Sequence, residues 1–228
     1  MAFAALFLAA FAASCCAAAA AEQALHQWTV LRGGSSGDAA YSLEVDGAGD
    51  IVAAGYTVSS GFDGQTNNNN IGHSDLMLMK LSSAGAHQWT VLRGGSSSDY
   101  AYSLKVDSSD AIIVGGHSYS TVLDSQSNAG GSDVMVMKFS SAGAHQWTVL
   151  HGGSNGDHAY DLEVDTSGNI FVGGYTSSTD LDGQSNAGSN DVMVMNFLSD
   201  GAHQWTVLHG GSSSDVCLYD CLEVDTSG

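Results

Sequence analysis

Carboxylate and amide side chains recur at matching positions in the loops of this sequence. One aspartate follows each Gly-Gly-Ser loop, and further aspartates and asparagines lie in longer polar loops. Their oxygens are hard ligands of the kind that Ca²⁺ prefers. The alternative is that they hydrogen-bond their own turns, since no stretch has the spacing of an EF-hand or a calcium-binding nonapeptide. The predicted ligand-binding face consists of Asp38, Asp99, Asp157, Asp215, Asp63, Asp182, Asn186 and Asn190.

Histidine is the other metal-ligating residue type, and the chain has nine of them. Four begin a repeated hexapeptide: His26, His87, His145 and His203. We expect these four to lie one repeat apart, too far to share an ion. At the end of that hexapeptide His151 stands where earlier copies have Arg32 and Arg93, so the position accepts a cation. The local group that could suit zinc is His151 with Asp157 and His158.

No sequence motif for nucleophilic catalysis or nucleotide binding is evident. The Gly33–Asp38 segment contains serine, but it is neither a nucleophile elbow nor a P-loop, because no lysine follows and no strand-to-helix junction is predicted. We therefore predict that the protein is not an enzyme.

The charge balance restricts the partners. The formal net charge is −19, from 24 acidic and five basic residues. A chain of this charge repels phosphate backbones and anionic lipids, so we do not expect nucleic acid as a partner. A protein or carbohydrate ligand is consistent with the charge, which is also typical of solubility in a salty exterior.

Residues 1–21 differ from the rest of the chain. They are uncharged, rich in Ala, Phe and Leu, and end in small residues before Glu22, which favours a secretory signal peptide and a secreted or cell-surface protein. The alternatives are an uncleaved membrane anchor and a lipoprotein modified at Cys15. In a regular strand Cys217 and Cys221 are too far apart to bridge without a bulge, so we interpret them as sequence drift. An intermolecular bridge or a metal pair is the alternative.

The loops belong to a tandem array, because His-Gln-Trp-Thr-Val-Leu occurs four times at a period of 58–61 residues. In the third copy His145–Leu150 and Tyr160–Val164 alternate between apolar and polar residues. Ile170–Thr176 and Val192–Met195 are apolar on both faces. Strands of this second kind must be covered on both sides, so each four-stranded sheet should lie between two others. This predicts propeller blades rather than a β-helix or helical repeats.

The array extends over residues 26–228 and contains three complete units, 41–92, 102–150 and 160–208, plus lone strands at His26–Leu31 and Leu218–Val224. Propellers close with about four to eight blades, so an open or incomplete ring is expected. We favour a fragment of a larger propeller, with closure by dimerisation as the second choice. The third choice is an open arc, whose exposed edges would favour self-association. In each unit the Gly-Gly-Ser loop and the long polar loop should lie at the same end of the sheet. The tryptophans predicted to pack between blades are Trp28, Trp89, Trp147 and Trp205.

Several of these segments also resemble a known family. Val164–Thr176, Asp133–Gly143, and Trp147 with the following Gly152-Gly153 resemble the "seven-bladed beta-propeller" (SBBP) repeat. The resemblance covers about residues 26–228. It implies a propeller fold in exported or cell-surface proteins, usually without assigned catalysis.

We therefore predict an all-β propeller-type array of four-stranded antiparallel blades that acts as a non-catalytic binding or scaffold module through its polar loop face. One alternative is a quinoprotein-like enzyme fragment, because Gly85–Trp89 and its copies resemble the docking turn of PQQ-type repeats. The other is a truncated structural copy with no activity of its own.

Overall fold

The structure is a computed structural model that describes residues 28–67 and 72–225. The described residues from Arg32 onward form the second of two compact units into which the chain divides. The predicted signal segment and the first residues of the His26–Leu31 strand lie outside the described residues. Residues 28–31 have no strand. No helix in the described ranges is long and apolar enough to cross a bilayer.

The second unit contains three four-stranded antiparallel sheets with the predicted strand order, which confirms the all-β fold class. Sheet 1 consists of β1 (Asp38–Val45), β2 (Ile51–Thr57), β5 (Asp75–Leu81) and β6 (His87–Arg93). Sheet 2 consists of β7 (Asp99–Val106), β8 (Ile112–Ser118), β11 (Asp133–Phe139) and β12 (His145–His151). Sheet 3 consists of β13 (Asp157–Val164), β14 (Ile170–Thr176), β17 (Asp191–Phe197) and β18 (His203–His209).

Each long polar loop contains a small hairpin that the sequence patterns did not predict. The hairpins are β3–β4 (Gly61–Phe62 and Gln65–Thr66), β9–β10 (Val122–Leu123 and Gln126–Ser127) and β15–β16 (Asp180–Leu181 and Gln184–Ser185). Phe62, Leu123 and Leu181 are buried and anchor these hairpins on the sheets. The aspartate at the tip of each hairpin has a positive φ, which Asp tolerates better than most residues.

The middle strands are buried on both faces, as their apolar sequences predict. Met135 and Met137 of β11 belong to the core shared with sheet 1, whereas Val134 and Val136 belong to the core shared with sheet 3. Adjacent side chains of a strand point to opposite faces, so one strand supplies two cores. Full burial of one such side chain stabilises the fold by about 1.5–3 kcal/mol.

The first strand of each sheet contains a bulge at a tyrosine, namely Tyr41, Tyr102 or Tyr160. A bulge leaves the extra residue out of the ladder and redirects its side chain. In sheet 2 the opposite strand has Gly116, where a Cβ would lie 1.8 Å from the carbonyl oxygen of Tyr100, so only glycine fits. The expected alternation through Tyr160 is therefore interrupted at this residue.

The C-terminal segment differs from its prediction, since Leu218–Val224 forms a turn and extended chain but no strand. A β-strand needs a neighbouring strand with which to share its backbone hydrogen bonds. Within the described residues no second strand follows this segment. Cys217 and Cys221 form a disulfide with 5.8 Å between their Cα atoms, so the interpretation of sequence drift is wrong. The distance argument assumed a regular strand, where these atoms would lie about 13 Å apart.

Candidate functional site

The Gly-Gly-Ser loop and the long polar loop of a unit contact each other at one end of the sheet. In sheet 3 the Asn155 amide donates to Ser178 Oγ at 3.0 Å. Between sheets 2 and 3, Ser132 and Gly156 form a parallel bridge. The loops of neighbouring units thus also touch, and the face continues from one sheet to the next.

The first group of predicted ligands turns its carboxylates inward. Asp99 accepts hydrogen bonds from the hydroxyls of Ser118 and Ser120 and, at 2.8 Å, from the Gly95 amide. Asp38 and Asp157 make the same three kinds of contact in their own units. Burial raises the pKa of Asp99 and Asp157, and these hydrogen bonds oppose the rise. The carboxylate oxygens therefore hold the Gly-Gly-Ser loop against the second strand of the sheet. This corresponds to the alternative in which the aspartates hydrogen-bond their own turns.

The other predicted ligands in these loops, Asp215, Asn186 and Asn190, are engaged in local hydrogen bonds. Asp215 is half-buried and accepts from the Gly211 amide at 2.8 Å. Asn186 donates to the Thr176 carbonyl at 3.0 Å and accepts from the Gly188 amide. Asn190 donates to Ser214 Oγ at 2.9 Å. Calcium binding at the eight-residue face stays a prediction, for which the structure provides dispersed oxygens rather than a shared cage.

A set of aspartates that the sequence patterns missed lies at the start of the third strands, namely Asp75, Asp133 and Asp191. They are buried, and one oxygen of each has no hydrogen-bond partner among the described residues. Burial, reinforced by the negative charge of Asp99, raises the pKa of Asp75 to about 6. Only glycine fits between the two, since a Cβ on Gly94 would lie 2.2 Å from Asp75 Oδ1 and 3.0 Å from Asp99 Oδ2. Two buried carboxyls this close favour sharing a proton or a cation.

The hairpin-tip aspartates are the centres of a second repeated arrangement. In unit 1 Asp63 pairs with Arg32 at 2.9 Å and lies 3.3 Å from His87. A threonine of the same outer strand, Thr90, donates to Asp63 at 2.9 Å. Unit 2 repeats this set with Asp124, Arg93, His145 and Thr148. Each set ties a hairpin to its own outer strand and to the preceding repeat.

The third copy of this arrangement contains a second histidine in place of the arginine. His151 Nε2 lies 2.9 Å from Asp182 Oδ2, and His203 Nε2 lies 3.5 Å from the same oxygen. The two imidazole rings stack with centroids 4.0 Å apart. Burial acts to raise the pKa of Asp182, but hydrogen bonds from Thr206 and His151, together with the charges of His151 and His203, hold it below its usual value. Burial, together with His151, lowers the pKa of His203.

The predicted grouping of His151 with Asp157 and His158 is wrong. His158 instead bonds the Tyr175 hydroxyl and Ser132 Oγ, each at 2.7 Å. Asp157 and His158 are consecutive residues of a strand, so their side chains point to opposite faces of the sheet. Residues that are close in sequence therefore do not share a site here. The partner that His151 finds in Asp182 is 31 residues away, which no local motif could indicate.

Tyrosines from the bulges meet between the first strands. The ring centroids of Tyr41 and Tyr102 are 4.8 Å apart, and those of Tyr102 and Tyr160 are 4.9 Å apart. Tyr219 of the C-terminal segment joins them, 5.6 Å from Tyr160 and 6.4 Å from Tyr41. Burial raises the pKa of Tyr102 and Tyr160 well above the usual range. The hydroxyls stay protonated, and the four rings pack as a cluster rather than line an open channel.

All four repeated tryptophans were predicted to pack between sheets, and two of them, Trp89 and Trp147, lie against the cores between sheets. A Cβ on Gly143 would lie 3.1 Å from the Trp89 ring, and a Cβ on Gly201 would lie 3.2 Å from the Trp147 ring. The turn of one unit thus covers the tryptophan of the unit before it. Trp205 is 42% exposed because it lies on the outer face of sheet 3, which no further described sheet covers.

Known proteins share this repeat. Residues 146–182 match the family model described as "Beta-propeller repeat" (SBBP). The chain is also 30% identical over 173 residues to "Regulatory protein FlaEY" of Caulobacter vibrioides, an alignment that covers 70% of this chain and 18% of that protein. The chain thus spans about a fifth of the length of that relative. The matched segment runs from the last strand of sheet 2 to the hairpin of sheet 3, so the similarity to the SBBP repeat falls on the same four-stranded pattern that the chain repeats three times.

Proposed function

We propose that this chain is a non-catalytic, exported β-propeller repeat module that works by docking onto further propeller repeats, in the first instance those of a second copy of the chain. The repeat match supports a scaffold. The word "regulatory" in the name of the FlaEY protein is consistent with action through binding. The polar loop face contributes the rim of this module, because most of its carboxylates are engaged in hydrogen bonds that close loops.

The observation that carries the proposal is the exposure of apolar side chains at the two ends of the array. Leu43 and Val45 of sheet 1 are 54% and 57% exposed, whereas the equivalent Leu104 and Leu162 are fully buried. At the other end Trp205 and Val207 of sheet 3 are 42% and 50% exposed. Contiguous exposed apolar side chains mark surfaces that bind partners.

The two ends are complementary because the chain already forms the same kind of interface twice. Leu104 of sheet 2 lies in one core with Val52 and Leu78 of sheet 1, and Leu162 of sheet 3 packs against Gly115 of sheet 2. The end with Leu43 therefore has the shape that follows a tryptophan-bearing sheet face. On sheet 3 the position equivalent to Gly115 is Gly173, which Leu222 of the C-terminal segment already covers, so docking there requires this segment to give way. Such a head-to-tail contact is heterologous, so each copy uses one end and leaves the other free.

Sedimentation velocity of the full chain over a range of concentrations tests this proposal. We expect concentration-dependent association, which Leu43→Arg or Val207→Arg abolishes because a buried charge at the contact is costly. An equimolar mixture of the two variants should recover a dimer, since each retains one intact end. Val122→Arg is the matched control, because Val122 is also about half exposed but lies on a hairpin. A wild-type chain that stays monomeric, or a mixture that does not recover, would refute the proposal.

Export is the second part of the proposal and rests on the sequence of residues 1–21. We expect cleavage before Glu22, and the intact mass of protein recovered outside the cell measures it. A mature protein that retains residues 1–21 supports the membrane-anchored alternative.

The enzymatic alternative predicts turnover with a quinone cofactor. Incubation of the chain with PQQ and Ca²⁺ and an electron-accepting dye tests it directly. We expect no dye reduction above a protein-free control, whereas reduction that depends on the folded chain would contradict a non-catalytic role.

A further inference from the structure

We propose that His151, Asp182 and His203 bind one divalent transition-metal ion of the zinc type. Their ligand atoms all lie within 4.8 Å of one another, and this is the one such group of three among the described residues. Two imidazoles and a carboxylate are the ligand set that Zn²⁺ and related ions prefer, with one or more positions left for water. The site joins the end of β12 in sheet 2 to β18 in sheet 3.

The arrangement needs small side-chain movements to accept an ion. The two rings stack with an interplanar angle of 21°, so they must turn out of the stack to aim both Nε2 atoms at one point. His203 Nε2 also lies 2.9 Å from Thr206 Oγ and must present its lone pair instead. All three ligand side chains are between 22% and 30% exposed, which leaves room for these rotations.

The other two copies of the arrangement show why the third is suited to a metal. In units 1 and 2 a guanidinium provides a permanent positive charge beside Asp63 and Asp124. A guanidinium has no lone pair to offer a metal ion, so each of those sites lacks the third ligand that unit 3 has. In unit 3 the exchange of arginine for His151 removes that charge and supplies a nitrogen ligand. A bound ion restores the positive charge next to Asp182. It also replaces the hydrogen bond that joins His151 to Asp182.

The surroundings of the site already orient its carboxylate. Thr206 donates to Asp182 Oδ2, as Thr90 and Thr148 donate to the equivalent aspartates. Hydrogen bonds to a ligating carboxylate fix its direction and strengthen metal binding. Phe197 packs edge-on against both imidazole rings, with centroids 6.1 Å from His151 and 5.4 Å from His203, and so provides an apolar wall.

Zinc titration calorimetry of the chelator-stripped full chain tests this site. We expect the wild type to bind one more equivalent of Zn²⁺ than His151→Arg, which restores the side chain found in units 1 and 2 and should therefore fold. The reciprocal Arg93→His variant places two histidines beside Asp124, and we expect it to bind one equivalent more than the wild type. Co²⁺ absorbance, which reports nitrogen and oxygen ligands directly, gives a second readout.

Equal zinc stoichiometry in the wild type and His151→Arg overturns the site. An Arg93→His variant that gains no zinc overturns the ligand geometry on which the site depends.

Discussion

Leu43 and Leu104 occupy the same position in the first strands of sheets 1 and 2, two residues after a bulged tyrosine, yet their surroundings differ. Leu43 is more than half exposed, whereas Leu104 is fully buried in the core between the two sheets. The strands that carry them have the same length and the same bulge. The burial of this leucine is therefore set by the adjacent sheet rather than by its own repeat. As in other repeat arrays, stability is a property of interfaces between units.

The largest expected effect compares the buried and exposed copies of this leucine directly. Leu162→Ala removes a fully buried side chain between sheets 2 and 3 and should cost about 2–5 kcal/mol of unfolding free energy. Leu43→Ala, at the exposed copy, should cost under about 1 kcal/mol because little surface leaves the core. Urea unfolding with an unchanged slope measures both. Equal costs would mean that Leu43 is covered in solution, as association through this end predicts, so the measurement should be made at low protein concentration.

The next effect compares a carboxyl whose pKa is raised with one whose pKa is lowered. The pKa of Asp75 is about 6 in the folded protein against 3.8 for the free group, so the folded state retains the proton longer. Its contribution is therefore fully present below about pH 4 and is lost as the pH rises through 6. The pKa of Asp182 is lowered, so its contribution is present at neutral pH and is lost on acidification.

We expect Asp75→Asn to raise stability at pH 7 by on the order of 2 kcal/mol, because it removes a carboxylate charge that burial disfavours and that Asp99 repels. It should also flatten the fall in stability between about pH 4 and pH 7. Melting temperatures measured over this range provide the check. Asp200→Asn, at an exposed turn, is the control with the same change in charge. A variant with the wild-type pH profile would show that the two carboxyls do not interact.

The strands of each sheet and the side-chain clusters formed between repeats also differ in how far the sequence predicts them. Strand order and the two-sided burial of β11 follow from local alternation and from glycines at turns, so the repeated pattern was sufficient. The carboxyl pair of Asp75 with Asp99 and the group around Asp182 were missed, because their members come from different repeats. Sequence spacing does not show which end of one sheet meets which end of the next. The bulged tyrosines were missed for a different reason, since a bulge changes the register without changing the composition.

The turn glycines provide a smaller comparison between an interface and a free surface. Gly143 and Gly49 have nearly the same φ, +78° and +81°, but a Cβ on Gly143 would lie 3.1 Å from Trp89, whereas a Cβ on Gly49 meets nothing within 4 Å. Alanine at either position pays the left-handed backbone cost of about 1–2 kcal/mol. Gly143→Ala should cost up to about 1 kcal/mol more, because the turn must move away from the tryptophan. Urea unfolding of the two variants measures this difference, and identical costs would show that the turn does not lock the sheets together.

The smallest effect compares the histidine and arginine forms of the Asp182 arrangement without metal. In chelator, His151→Arg should raise stability by about 0.2–1 kcal/mol, the usual range for a partly exposed ion pair, and added salt should reduce this gain. Arg93→His should lower stability by a similar amount. Saturating Zn²⁺ should reverse the order of wild type and His151→Arg, because an ion that binds only the folded chain stabilises it by mass action. Thermal melts with and without Zn²⁺ measure both steps. A His151→Arg variant that is less stable than wild type in chelator would mean that the third unit holds its hairpin differently from the first two. The exchange of arginine for histidine would then not be a simple replacement of one cation by another.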